Sequence, residues 1–231
     1  MSRPDVAAGP AAAAPRAVGP QRTSRAQAHA GAQRARILAA ATACFVEHGF
    51  HAASMASIAE AARMSPGLMY RYFPSKSAIV LAIIERQLAE SRDKIGELRS
   101  STEIMANLRQ SFVQWQADQP GAMNVALFLA MSADARRDPR IAGALRESDR
   151  LTRADLEAWL ARDAEDGGCG LPEEDAAPRA LLLQSLVEGL AIRALREPDL
   201  EFEELAPALR RLLDQLLTPR DAAATHRAGT R

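Results

Sequence analysis

Residues 65–76 read SPGLMYRYFPSK. Serine followed by proline is a helix start: Ser65 can accept a bond from a first-turn backbone N–H, and Pro66 at the first helical position loses nothing by lacking its own. A packed core has use for Leu68, Met69, Phe73 and one tyrosine of that run. The second tyrosine, Arg71 and Lys76 are surplus to it.

Upstream, residues 34–49 (RARILAAATACFVEHG) place Ile37, Leu38, Ala41 and Phe45 on one helical face, and Gly49 stands where a left-handed cap is usually needed. Ser54 can cap a second, short helix whose inner face is Met55, Ile58, Ala59 and Ala62. Arg63 and Met64 fall in the break before Ser65. A further helix starts at 74 or 75 and carries Ile79, Val80, Ile83 and Leu88 to about Ser91. Four helices with breaks this short form one unit, and the middle pair has the size of a helix-turn-helix. Beyond it, residues 103–115, 122–133, 139–162, 178–195 and 200–217 all have helical apolar faces, with an acidic, glycine-rich surface loop expected at 164–178. No strand-type alternation and no repeat is visible. The expected class is all-α. A disordered arm (1–30) precedes a three-helix helix-turn-helix domain (31–80), linked through a helix at 75–92 to a larger helical domain (93–218) and a disordered tail (219–231).

The formal net charge of the 231 residues is zero, but its distribution is uneven. Residues 1–92 hold 11 Lys+Arg against 5 Asp+Glu, a net of +6; residues 93–231 hold 18 against 24, a net of −6. A basic first part and an acidic remainder are expected if only the first part meets a polyanion. Arginines of the arm supply part of that bias, yet residues 33–76 alone keep Arg34, Arg36, Arg63, Arg71 and Lys76 against Glu47 and Glu60. Two cysteines, Cys44 and Cys169, do not call for an oxidising compartment. The proline-broken opening lacks a signal-peptide core, and no apolar run approaches a membrane span. A cytoplasmic protein with no membrane partner is expected.

Laid against a major groove, a helix from Ser65 to Phe73 gives the surplus residues work. Its free N–H groups suit a phosphate, and Gly67 admits close backbone approach. Tyr70 and Tyr72 can bond phosphate oxygens, and Arg71 can reach a phosphate or a guanine edge. Lys76 sits at the wrong end for its own helix dipole, a mismatch that a DNA phosphate would relieve. Singly each sign is weak; together, in register behind a short helix, they point to double-stranded DNA.

The stretch from Arg36 to about Leu81 resembles the DNA-binding domain of the TetR/AcrR family of bacterial transcriptional regulators. The resemblance rests on Ala40, Phe45, Gly49, Phe50, Ser54, Met55, Ile58, Ala59, Ala62, Ser65, Gly67, Tyr70, Tyr72, Phe73 and Lys76, with MSPGLMYRYFPSK the most specific piece. It implies that Pro66–Phe73 reads the major groove, that Ser54, Tyr70, Tyr72 and Lys76 contact phosphates, and that Ser65, Gly67, Leu68 and Arg71 lie at or near bases. Ala53 departs from a frequent threonine, which leaves the cap to Ser54. Arg63 departs from the usual glycine and must either take ordinary backbone geometry or accept about 1 kcal/mol of strain. The resemblance also implies a homodimer that represses a promoter until a small molecule binds the C-terminal domain.

The leucines of 178–195 wrap more than half the helix, so it wants neighbours on two sides. A twofold partner is expected over Leu182, Leu183, Leu186 and Leu190 of that helix and Leu209, Leu213 and Leu216 of the last one. Between head and dimer helices, Met105, Leu108, Phe112, Trp115, Met123, Leu127, Phe128, Met131 and Trp159, with Gln184 among nearby polar groups, are the expected lining of a cavity for a largely apolar effector. An ordinary core would read the same. An activator or an effector-independent regulator on this fold, and more distantly a helical protein–protein adaptor, stay open. An enzyme is not expected: the four histidines form no catalytic or metal-binding arrangement, no phosphate loop is visible, and no cofactor or metal is called for.

Overall fold

The computed structural model describes residues 20–117, 119 and 123–219. Two compact units divide the chain, one ending at Arg36 and one running from Ile37 onward. Both hydrophobic clusters lie in the second. Every regular element among the described residues is helical.

The first helix, α1 (Pro20–Ala52), opens with proline at its first position, well before the expected start near Arg34. The expected arm of 1–30 therefore overlaps helix from Pro20; residues 1–19, and 220–231 of the expected tail, lie outside the described residues. Gly49 breaks α1 with φ 76 and ψ 160, a backbone state that glycine enters at little cost. Ile37, Leu38, Ala41, Cys44 and Phe45 are buried ahead of that break.

Ser54 caps α2 (Met55–Ala61), accepting from the Ser57 N–H at 3.0 Å while the Ser57 hydroxyl accepts from the Ser54 N–H at 2.9 Å. This reciprocal box satisfies two of the helix's free donors. Ala53, in the position of the absent threonine, is buried. The turn after α2 bonds Arg63 N–H to Glu60 O (2.8 Å) and Met64 N–H to Ala59 O (2.9 Å). That is the pairing of a Schellman cap, in which the residue after the cap takes the left-handed form. Arg63 does so at φ 51. The strained alternative is thus the one adopted.

Ser65 then caps α3 (Pro66–Tyr72) through the Leu68 N–H (3.3 Å), and Ser75 caps α4 (Lys76–Gly96) through the Ala78 N–H (3.1 Å). Met69 and Phe73 lock α3 into a core completed by Ile58, Ile79, Val80 and Ile83. There follow α5 (Ser101–Gln116), α6 (Val125–Asp134), α7 (Pro139–Ala161), a 3-10 turn (Ala164–Asp166), α8 (Glu173–Arg196) and α9 (Phe202–Leu217). The expected acidic loop is shorter than its sequence suggests, because Glu173, Glu174 and Asp175 form the first turn of α8, where negative charge suits the helix dipole.

α4 packs along α7, α7 on α8, and α5 on both α8 and α9. The head is not sealed off from the larger domain. Leu127 and Met131 of α6 and Ile141 of α7 belong to the head's cluster, so one core runs across the expected boundary.

Candidate nucleic-acid interface

The residues expected at DNA separate into two groups. Ser54, Ser65, Pro66, Gly67, Tyr70 and Arg71 are exposed, and Tyr70 keeps 53% of its surface open. Among the described residues, nothing in the subunit engages the Tyr70 hydroxyl or the Arg71 guanidinium by hydrogen bond or ion pair. Leu68 and Tyr72 are half-buried. Met69, one position from Leu68, is fully buried, so the core holds α3 by one side and leaves the Pro66–Gly67–Tyr70–Arg71 side facing outward. Ser54 and Ser65 spend their hydroxyls on the caps of α2 and α3.

Lys76 corrects the sequence reading, because packing does employ it. Its ammonium donates to the carbonyls of Phe50 and Ala53, the latter at 2.8 Å, and sits 4.4 Å from the centre of the Phe50 ring. The last turn of α1 has carbonyls with no helical partner, and the lysine supplies their donors. Burial pulls the Lys76 pKa down from its usual value, with Asp134 acting the other way. This residue staples the end of α1 to the start of α4.

The larger domain contains a cavity of about 240 Å3. Of the ten expected lining residues, Leu108, Trp115, Met123, Phe128 and Gln184 line it. The other five do not, each for a packing reason. Leu127 and Met131 turn into the head's core. Phe112 is buried against Phe202, ring centres 5.7 Å apart. Trp159 is buried with its indole N–H on the Gly167 carbonyl at 3.1 Å. Met105 packs on the larger cluster. Sequence reasoning missed the walls from α4 (Ile84, Gln87, Leu88, Ser91) and α7 (Leu145, Ser148, Asp149, Thr152, Leu156). The available signal was polar Ser148, Asp149 and Thr152 on the helical face of Leu145 and Leu156. Gln184 donates toward Asp149 Oδ1 (3.5 Å) and to Glu188 Oε1 (3.1 Å), and burial pushes both carboxyls up from the ordinary carboxylate range.

Among known proteins, residues 37–83 match the model of bacterial regulatory proteins, tetR family, and residues 103–218 that of the BetI-type transcriptional repressor C-terminal domain. The chain belongs to the tetR family. It is 32% identical over 202 residues to the HTH-type transcriptional regulator UidR of Escherichia coli K12, covering 83% of this chain and 96% of that protein. It is 27% identical over 187 residues to the regulator CymR of Pseudomonas putida, covering 79% and 88%. The solved structure of Salmonella enterica GusR superposes with a TM-score of 0.64 at 29% identity, over 80% of this chain and 95% of that one. As a tetR-family member the protein is a DNA-binding transcriptional regulator built as a homodimer with a ligand-binding domain, and it is not an enzyme. Among the described residues no His, Cys, Asp and Glu group is arranged to hold a metal, and no helix is long and apolar enough to cross a membrane.

The leucines expected at the twofold interface fare unevenly. Leu183, Leu190, Leu209 and Leu213 are buried within the subunit, and Leu186 and Leu216 pack at the edge of the same cluster. Leu182 is the one left open, at 55% exposure; Leu181, Leu195 and Leu212, which the sequence reading did not assign to the interface, are exposed as well.

Proposed function

We propose that the protein is a cytoplasmic, homodimeric repressor whose two α3 helices read a palindromic operator and which a small, largely apolar effector releases. The observation that carries this is the outward side of α3. Its tyrosine and arginine have no task inside the subunit, while caps and Met69 hold the helix rigidly. On this reading Tyr70 and Tyr72 bond phosphates, Arg71 reaches a base edge, and Pro66, Gly67 and Leu68 form the close-approach surface. Ser54 and Ser65 present their hydroxyls at the backbone from their capping positions. Two heads set about 34–36 Å apart, or a multiple of a helical turn, add their binding free energies.

The dimer face is the exposed strip of α8 formed by Leu181, Leu182, Ser185 and Gly189, together with exposed Leu212 of α9; the α8 positions repeat at helical spacing, and all five stay open in the subunit. Coupling runs through α4. Its first turn is stapled to α1 by Lys76, and its middle (Ile84, Gln87, Leu88, Ser91) walls the cavity. An effector that fits better when α4 is displaced favours heads out of register with DNA, in proportion to its affinity difference between the two forms.

The test is a gel-shift titration with duplexes from the DNA beside the protein's own gene, with and without small apolar compounds. Retardation relieved by one class of compound is the expected result. No retardation of any palindromic duplex at low salt overturns the proposal.

A further inference from the structure

The cavity wall is not uniformly apolar, and two of its polar residues are acids. Asp149 of α7 and Glu188 of α8 converge on a single neutral donor, the Gln184 amide. The Gln184 Oε1 is buried with no partner of its own. The other polar residues of the wall, among them Asn107, Ser111, Ser148 and Thr152, are neutral apart from Lys94, and among the described residues none of them hydrogen-bonds either carboxylate. Arg153, one helical turn from Asp149, acts on both carboxyls through its charge, but its own Nε is buried without a partner. The cation that does line the cavity, Lys94, lies elsewhere. The Ser77–Asp138 and Arg92–Asp155 contacts set α4 running alongside α7 in the same direction, which puts Lys94 beyond Leu156, about two turns or roughly 10 Å from Asp149. Trp115 and Phe128 supply the aromatic surface of the same cavity.

We infer that the effector is an organic cation: an apolar body lying on Trp115 and Phe128, with a protonated or quaternary nitrogen seated between Asp149 and Glu188. Two carboxylates withdrawn from water and bridged by one amide are under-neutralised, and burial has already pushed both toward their protonated forms. A cation at that point restores the missing charge, and an aromatic face adds to its attraction. An anionic or purely apolar ligand would leave the pair unrelieved. The inference rests on the effector reading of the cavity proposed above and narrows it from an apolar compound to a charged, amphipathic one.

Three probes of matched size separate these possibilities: 4-phenylbutylamine, 4-phenyl-1-butanol and 4-phenylbutyrate, titrated into the full-length protein near neutral pH and followed by tryptophan emission. The amine is expected to bind at least tenfold more tightly than the alcohol, with the carboxylate weakest. In Asp149→Asn/Glu188→Gln the preference for the amine over the alcohol should fall below threefold, and Glu188→Gln alone should fall between. Circular dichroism melts confirm that the variants fold, and the single variant carries the test if the double one does not. Equal or tighter binding of the alcohol or the carboxylate, a preference that survives the double substitution, or no binding by any probe overturns the inference. A parallel anisotropy measurement on the operator duplex keeps the two proposals apart. Amine binding without DNA release upholds the cation site and overturns the effector role, whereas release by an uncharged compound with no amine binding does the reverse.

Discussion

Replacing Lys76 by methionine keeps an unbranched stem over Phe50 and removes the ammonium. The perturbation strips donors from the carbonyls of Phe50 and Ala53, with a third, longer contact to His51 at 3.5 Å. A hydrogen bond from a charged donor contributes about 1.5–3 kcal/mol net. Two are lost here, but the site is only partly buried and water can re-solvate the carbonyls, so a total near 2 kcal/mol is expected. For a chain of this size that is a fall of about 4–8 °C in melting midpoint. The assay is thermal unfolding of the full chain beside DNA binding across a salt series. A staple predicts the lower midpoint with an unchanged slope of log affinity against log salt. An unchanged midpoint, with a slope reduced by roughly 1 per subunit, would return Lys76 to the phosphate contact read from the sequence and refute the staple.

Arg63→Gly should raise stability by about 0.5–1 kcal/mol, since relief of the left-handed strain at φ 51 outweighs the added freedom of the unfolded chain; a loss on urea unfolding would contradict the Schellman geometry. Leu182→Arg should yield a folded monomer by sedimentation, because that side chain is open in the subunit, whereas Leu183→Ala should instead cost about 2–5 kcal/mol of stability through a core cavity. A Leu182→Arg dimer would place the interface elsewhere. Asp149 and Glu188 have carboxyl pKa values raised by burial, so the folded state holds these protons more tightly than the unfolded one. Their contribution to stability is therefore greatest in acid and is lost as pH rises from about 4, the ordinary carboxylate value, through the raised ones. Asp149→Asn/Glu188→Gln should match the wild type below that window and exceed it at neutral pH in urea unfolding; a constant difference across pH would contradict the burial.

The punctuation of the head was legible because it is local. Ser54 and Ser65 cap the helices they precede, and Pro66 takes the first position of α3. The role of Lys76 was not, since its partners lie 23 to 26 residues earlier and depend on where α1 ends in space. The cavity was half legible for a related reason. Apolar residues of α5 and α6 advertise burial without saying which void they face, so Leu108 and Phe112, a turn apart, end in different surroundings. Gln87 and Ser91 of α4 line the cavity although nothing in their polar character or local spacing distinguishes them from surface residues. In α8 the surplus of leucine does not say which side chain faces the subunit's own core, and only the packed bundle decides that Leu183 turns inward and Leu182 outward.

The account stands on α3 touching DNA, and the double variant Tyr70→Ala/Arg71→Ala tests that most directly. Both side chains are exposed and unengaged in the subunit, so its melting midpoint should stay within about 1 °C of the wild type. Titrated by anisotropy against a duplex that the wild-type dimer retards, it should bind at least a hundredfold more weakly, from a loss of about 1–3 kcal/mol at each base-edge contact in both half-sites together with the phosphate bonds. A folded double variant that holds the same duplex with wild-type affinity would contradict the assignment of α3 as the reading helix.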